Sequence, residues 1–150
     1  LVCLKRDWHF DYPMYEDLQQ FKVQDAGGDI YDRSSCILGE PIYIGFRNVK
    51  PHATTEGVRL VQSTGMRPLT IEHPAATVLV AAGERAKAMD LWGEMRDAPG
   101  APVAVALQEG EGRVVVVGAD TWLRPDELAM GDNERFLLNV VRWLGRRGDE

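Results

Sequence analysis

The sequence predicts an α/β domain with a central sheet that is covered on both faces. Two apolar runs rich in β-branched residues, at 76–82 and 113–117, lack the alternation of a half-exposed strand and are typical of strands buried on both faces. A third segment, 132–144, repeats apolar residues at helical spacing. The 150 residues suffice for one domain and are too few for a linker-joined pair, so we expect a single domain over 1–150 that ends in a polar tail at 145–150.

The first half of the chain is predicted to be mostly extended, because short apolar runs alternate with Gly, Pro and Ser turn residues. The predicted elements are a strand at 1–4, an aromatic connection containing Trp8, Phe10, Tyr12 and Tyr15, a helix at 14–21, paired strands at 36–38 and 42–46, and strands at 58–61 and 69–71 around a turn at 63–65.

The second half predicts a hairpin followed by two helices. Strands at 103–107 and 113–117 flank a Gly-containing loop, which is typical of a β-hairpin. A short helix at 125–130 begins with Pro125, and a final helix at 132–144 is capped by Asp132 and ends before Gly145. The stripe predicted to pack against the sheet comprises Phe136, Leu137, Val140, Val141 and Leu144, and Arg135, Asn139, Arg142 and Arg146 lie on the opposite face.

Three helices are too few for this sheet. A complete doubly wound domain needs helices on both faces, and residues 1–80 hold only one predicted helix. The chain also opens on residues that have the composition of a strand interior, so we infer a processed or excised piece of something longer. We therefore expect a large apolar surface to be buried against another polypeptide, either the rest of its own domain or a partner subunit.

Composition excludes several classes of protein. The chain carries 17 basic and 23 acidic residues, a net charge of −6, and no block is strongly basic, so we expect no binding to nucleic acid. Cys3 and Cys36 are too few for a disulfide framework or a zinc site, and we expect two free buried thiols, with a single disulfide as the alternative. The longest uncharged apolar run, 75–83, is about half of what a membrane helix needs, so we expect a soluble chain without a transmembrane segment.

The segment Asp120, Thr121 and Trp122 is the best candidate for a ligand site, because ligands collect beyond the carboxyl ends of strands in α/β sheets. A helix-capping turn is the alternative. Cys36 with a histidine could form a nucleophile and base, but Cys36 enters a strand pattern, which favours a core position. Asp29 and Asp32 could be paired carboxylates, although their Gly- and Ser-rich surroundings favour local turn bonding.

Three segments resemble a known family. Residues 51–58 (PHATTEGV) resemble a HPxTxGV motif with the first two residues exchanged, and residues 112–120 (GRVVVVGAD) resemble a GRVVVxGD strand with one inserted Ala. Residues 132–144 (DNERFLLNVVRWL) resemble a DNxxFxxNxxxWL closing helix. These motifs are similar to those of the class I glutamine amidotransferase-like superfamily, in the branch shared by gliding-motility ABC-transporter auxiliary proteins and an intraflagellar-transport scaffold protein, called the GIFT domain.

The resemblance implies a three-layer flavodoxin-like fold of which this chain is the C-terminal portion, incomplete at its N-terminus. Catalytic members carry a Cys on a strand-to-helix elbow and a His and Glu near the chain end, whereas this chain has no such elbow and no His beyond His73. The implied function is a non-catalytic binding or scaffolding component, an ABC-transporter or bacterial-envelope accessory, without a cofactor or metal. The ligand-binding residues expected on this basis are Asp120, Thr121, Trp122 and His52. A thiol- or carboxylate-dependent hydrolase and a carbohydrate- or peptide-binding module are the alternatives.

Overall fold

The computed structural model of the protein describes residues 1–3 and 20–145. The predicted aromatic connection, most of the predicted helix at 14–21, and residues 146–150 of the predicted tail lie outside this part of the chain. Residues 20–22, at the end of the predicted helix, form a turn.

Short strands are the commonest regular elements among the described residues. They are β1 (Val2–Cys3), β2 (Val23–Asp25), β3 (Asp29–Tyr31), β4 (Cys36–Ile37), β5 (Glu40–Phe46), β6 (Asn48–Val49), β7 (Val61–Thr64), β8 (Leu69–Ile71), β9 (Ala76–Ala81), β10 (Lys87–Met89), β11 (Met95–Asp97), β12 (Pro102–Glu109) and β13 (Gly112–Val117). The helices are α1 (Pro125–Leu128) and α2 (Asn133–Gly145), with 3₁₀ turns at Ala53–Thr55 and Thr121–Leu123.

A central five-stranded sheet has the order β1-β13-β12-β9-β6, and three small sheets have the orders β11-β10-β3, β2-β8 and β4-β5-β7. The pair β1 and β13 is parallel, and the other described pairs are antiparallel. The predicted three-layer flavodoxin-like α/β fold is therefore wrong. That fold alternates parallel strands with helices, whereas the described strands pair mostly antiparallel and only one described helix is longer than a single turn.

Both faces of the central sheet are covered by the chain itself. Successive side chains of a strand point to opposite faces, so Val115 and Val117 enter one buried cluster while Val116 enters another. Helix α2 packs against the first face, and the β2-β8 pair, with Val23 and Leu69 buried, covers the second. The layer that we expected another polypeptide to supply is thus built from short strands of this chain, and the shortage of helices carries no inference about a partner.

The hairpin prediction is confirmed, since β12 pairs with β13 in register from Ala104 opposite Val117 to Glu109 opposite Gly112. The predicted pairing of 36–38 with 42–46 is confirmed by β4 and β5. The run at 76–82 is buried only from Leu79 onward. The predicted strand at 58–61 is wrong, because β7 begins at Val61 and occupies part of the predicted turn.

Helix α2 begins one residue later than predicted, and its buried stripe differs from the predicted one. Phe136, Val140 and Trp143 are buried, Leu137 and Leu144 are partly buried, and Val141 is 56% exposed. Helix α1 is also shorter than its predicted span of 125–130.

Candidate functional site

The predicted ligand segment lies immediately after β13, where the chain forms a 3₁₀ turn. The buried Thr121 hydroxyl donates to the carbonyl of Thr64 at 2.6 Å and lies 2.8 Å from the Ser63 hydroxyl. The Trp122 ring is fully buried and packs on Phe136, with 5.2 Å between ring centroids. Asp120 is half-buried. Two of the three side chains in this segment therefore pack inside the protein.

His52 lies elsewhere, at the start of the other 3₁₀ turn. Its Nδ1 accepts a hydrogen bond from the backbone N–H of Thr54 at 3.1 Å, and its ring meets the Trp143 ring edge-on at 5.1 Å. Burial lowers the pKa of His52, because an apolar environment disfavours the charged ring. Trp122 packs on Phe136, and His52 packs on Trp143. Phe136 and Trp143 are about two turns apart on helix α2, so Trp122 and His52 contact different parts of the helix. A ligand role for these residues stays a prediction.

The closing-helix motif ties the segment 56–62 to the helix. The Asp132 carboxylate accepts from the backbone N–H groups of Arg59 and Leu60 at 2.8 and 3.1 Å, and not from its own helix as a cap would. The fully buried Asn133 accepts from the backbone N–H of Gln62 and donates to its carbonyl, and Asn139 donates to the carbonyl of Glu56. These motif residues therefore have a structural explanation.

A thiol–imidazole pair is absent from the described residues. The half-buried Cys36 carries a free thiol, which donates to the carbonyl of Arg33 at 3.3 Å. His52 contacts Trp143, and His73 lies 3.7 Å from the carboxylate of Glu109. The described part of the chain also holds no group of three His, Cys, Asp or Glu side chains that could bind a metal ion.

Two neighbouring cavities form a groove that the sequence did not predict. The larger, about 530 Å³, is lined by Tyr31, Asp32, Arg33, Ser34, Arg85, Lys87 and Met95. The smaller, about 400 Å³, is lined by Ser35, Ile44, Gly45, Phe46, Arg47, Asn48, Lys50, Gly83 and Glu84. Because Ser34 and Ser35, and likewise Glu84 and Arg85, are consecutive, the two cavities adjoin. We call them together the cationic groove, since five basic side chains line it against two acidic ones.

A turn at Asp32 lies where the two cavities meet, since Asp32 lines the larger cavity and lies against Gly83, which lines the smaller. Asp32 is buried, and its Oδ1 accepts from the backbone N–H and hydroxyl of Ser34 at 2.8 and 2.6 Å, the local turn bonding that its surroundings predicted. A Cβ atom at Gly83 would lie 2.7 Å from Oδ2, so any larger residue there would displace the carboxylate. Arg33 points outward and donates to the Tyr31 hydroxyl at 3.2 Å, a bond that raises the pKa of Arg33.

Beside the groove, the β10-β11 hairpin exposes large apolar side chains. Leu91 is 52%, Trp92 81% and Met95 46% exposed, and Met95 also lines the larger cavity. The turn is well defined, because the Asp90 carboxylate accepts from the backbone N–H groups of Trp92 and Glu94, both at 2.9 Å. We call Leu91, Trp92 and Met95 the hairpin tip.

Among the described strands β11 is an edge strand, and the backbone groups that point away from β10 can be assigned. The backbone N–H of Ala98 donates to the carbonyl of Ala86, and the backbone N–H of Asp90 donates to the carbonyl of Glu94. These two bonds fix which residue pairs along the hairpin are hydrogen-bonded. By that alternation Arg96 pairs with Ala88, while Met95 and Asp97 direct their backbone N–H and C=O groups away from β10. Within residues 1–3 and 20–145 no other strand pairs with this edge.

Comparison with known proteins gives a fold and no family. No family model matches the sequence, and no curated protein was found to match it. A solved structure titled "mmIFT52 N-terminal domain" is similar with a TM-score of 0.73 at 14% sequence identity. The match covers 94% of this chain and 60% of that one, so the chain spans less than two thirds of the matching structure.

This match corrects the resemblance drawn from the three motifs. Membership of the class I glutamine amidotransferase-like superfamily is wrong, because the similar structure is the mmIFT52 N-terminal domain and the fold shared with it is mostly β. The descriptions "flavodoxin-like" and "amidotransferase-like" are therefore also wrong. None of the described helices has the length and apolar content needed to cross a membrane.

Proposed function

We propose that the protein is a non-catalytic, polypeptide-binding component of a larger assembly. One observation carries the proposal: the hairpin tip exposes Leu91, Trp92 and Met95 together on a well-defined turn, next to an edge strand. Aromatic residues and Met are enriched in protein interfaces, and Trp is one of the residue types enriched among those that contribute most of the binding energy. The likeness to the mmIFT52 N-terminal domain supports the fold on which this surface is built.

The alternative functions have less support. A thiol-dependent hydrolase needs a base beside its nucleophile, and among the described residues Cys36 contacts a backbone carbonyl instead. A carbohydrate site is favoured by no particular contact. The predicted setting, an ABC-transporter or envelope assembly, depended on the overturned superfamily resemblance, and no observation on this fold favours it.

Site-specific photo-crosslinking tests the proposal. A photoreactive phenylalanine derivative is placed at Trp92, and in a matched variant at Val141, an exposed apolar position on helix α2. Both variants are irradiated in cells of the source organism, and the adducts are identified by mass spectrometry. We expect one recurrent polypeptide to be captured from position 92 and not from position 141. Absence of adducts at 92, or the same adducts from both positions, would contradict the proposal.

A further inference from the structure

We propose that the cationic groove and the hairpin tip form a continuous docking site for an acidic, extended segment of a partner polypeptide. The inference rests on the proposed function and adds the chemistry of the partner. Met95 connects the two surfaces, since it belongs to the hairpin tip and also lines the larger cavity.

The charge around the groove is opposite to that of the whole protein. The chain has a net charge of −6, yet the groove is lined by Arg33, Arg47, Lys50, Arg85 and Lys87 against Asp32 and Glu84. Lys87 already pairs with Asp97 at 3.3 Å in an exposed contact, which is worth little. Within the described part of the chain no ion pair engages Arg33 or Arg85. These two guanidinium groups are therefore available to a carboxylate from outside.

The sheet geometry favours an extended ligand. Tyr31, Lys87 and Met95 line one cavity from the outer face of the β3-β10-β11 sheet, where Lys87 lies directly opposite Tyr31. A strand added at the outer edge of β11, with which no described strand pairs, would lie two strand spacings, about 10 Å, from β10. The side chain of a glutamate on that strand and the side chain of Lys87 or Arg85 are together long enough to meet across this distance. The outward N–H and C=O groups of Met95 and Asp97 would bond the backbone of the added strand, as in other cases of β-strand addition.

A polypeptide fits this site better than a nucleic acid does. The groove's excess positive charge is local, and screening over about 8 Å at physiological salt lets a short acidic segment bind there despite the net charge. A nucleic acid would extend its phosphates over the acidic remainder of the surface. The exposed apolar side chains of the hairpin tip also need an apolar counterpart, which a polypeptide segment supplies.

Peptide binding measured by fluorescence anisotropy tests the inference. The probes are two labelled synthetic peptides, one alternating glutamate with leucine and the other with glutamine in place of each glutamate. We expect the acidic peptide to bind about tenfold more tightly than the glutamine peptide, and the difference to shrink as salt is added. Equal binding of the two peptides would overturn the inference, while the crosslinking result at Trp92 would still decide the proposed function on its own.

Charge reversal locates the binding. The variant Arg33→Glu/Arg85→Glu should bind the acidic peptide roughly tenfold more weakly. The control Arg124→Glu/Arg142→Glu makes the same change in net charge at positions that line neither cavity, and should bind as the unmodified protein does. Circular dichroism confirms that each variant is folded. Equal weakening in both variants would overturn the site.

A proline tests pairing at the edge of β11. Since the backbone N–H of Asp97 points away from β10, Asp97→Pro removes an outward donor without breaking a hydrogen bond of the hairpin. Asp97→Ala removes the same carboxylate and keeps the N–H, so it is the matched control. We expect the proline variant to bind the acidic peptide several-fold more weakly than the alanine variant. Equal binding, or full displacement of the peptide by inorganic phosphate or a short oligothymidylate, would overturn a polypeptide docking at this edge.

Discussion

The side chain of Asn133 supports more of the backbone than any sequence pattern indicated. It is fully buried, and its amide N–H groups donate to the carbonyls of Gln62 and Glu127 at 2.7 and 2.8 Å while its oxygen accepts from the N–H of Gln62 at 2.9 Å. It therefore pairs with Gln62 as a neighbouring strand would. The resemblance placed this residue in a helix motif, and the structure shows the physical reason for an amide at that position.

Removing this amide should destabilise the fold strongly. Asn133→Ala leaves buried backbone groups without partners, so we expect a loss of about 2–4 kcal/mol in the free energy of unfolding, measured by urea titration. Asn133→Asp should cost at least as much, since a carboxylate oxygen would face two carbonyls. Asn139 is the matched control, because it makes one bond at the surface and its replacement by Ala should cost below about 1 kcal/mol. Similar losses at the two positions would contradict this account.

His52 should make stability depend on pH. Its pKa in the folded protein is lowered by burial, so the folded state takes up a proton at lower pH than the unfolded chain does. The stabilisation is present above the unfolded value of about 6.5 and is lost as the pH falls below it. We expect the free energy of unfolding to decrease over this range. His52→Asn keeps a side chain that can cap the 3₁₀ turn and cannot titrate, so this part of the decrease should disappear. An unchanged pH profile in the variant would exclude His52 as its source.

At the scale of elements, the closing helix shows what periodicity can and cannot predict. The apolar residues predicted the helix, but Phe136, Leu137, Val140, Val141 and Leu144 span a wider arc than the sheet can cover. The observed contacts select Phe136, Val140 and Trp143, spaced by four and three residues, as the buried stripe. Trp143, which lies outside the predicted stripe, is buried and contacts His52 and the guanidinium of Arg113, whereas Val141 within the stripe is exposed.

Truncating a buried and an exposed side chain of the helix should have different effects on stability. Phe136→Ala removes a fully buried ring that contacts Trp122, so we expect a loss of about 3–5 kcal/mol through cavity formation. Val141→Ala, at a position 56% exposed, should change stability by less than about 0.5 kcal/mol. Thermal unfolding followed by circular dichroism measures both. A Phe136→Ala loss below about 1 kcal/mol would contradict this packing.

Some of the strands, like part of the helix, could be predicted from the sequence, and others could not. The β12-β13 hairpin has long β-branched runs and a Gly-containing loop, so local preferences agree with its tertiary position. Strands β2, β3, β10 and β11 have three residues each, too few for a period to be recognised, and their pairing is set by tertiary contacts. The layer that covers the second face of the sheet is the β2-β8 pair, of which the sequence predicted β8 but not β2. Helices were therefore expected on that face, and this contributed to the wrong fold class.

At the scale of the whole molecule, the cationic groove could not be predicted from charge along the sequence. Its basic residues come from three separate segments, around Arg33, Arg47 and Arg85, and no one of them is strongly basic. The sequence could not show which of the proposed ligand-binding side chains are exposed. A position after a strand does not say whether a side chain faces solvent or the core. Thr121 and Trp122 face the core.

The two buried clusters should unfold together. They lie on opposite faces of one sheet and share its strands, since β12 sends Ala104 and Ala106 into the larger cluster and Val105 and Leu107 into the smaller. Losing either layer exposes the β-branched residues of the shared strands, so neither cluster is stable without the other. We expect one thermal transition, with coincident midpoints for tryptophan fluorescence, to which the buried Trp122 and Trp143 contribute, and for circular dichroism. Val105→Ala, in the smaller cluster, should lower both midpoints by the same amount although it lies across the sheet from Trp122. Separate midpoints, or a shift in circular dichroism alone, would instead show that β2-β8 forms an independent layer on the sheet.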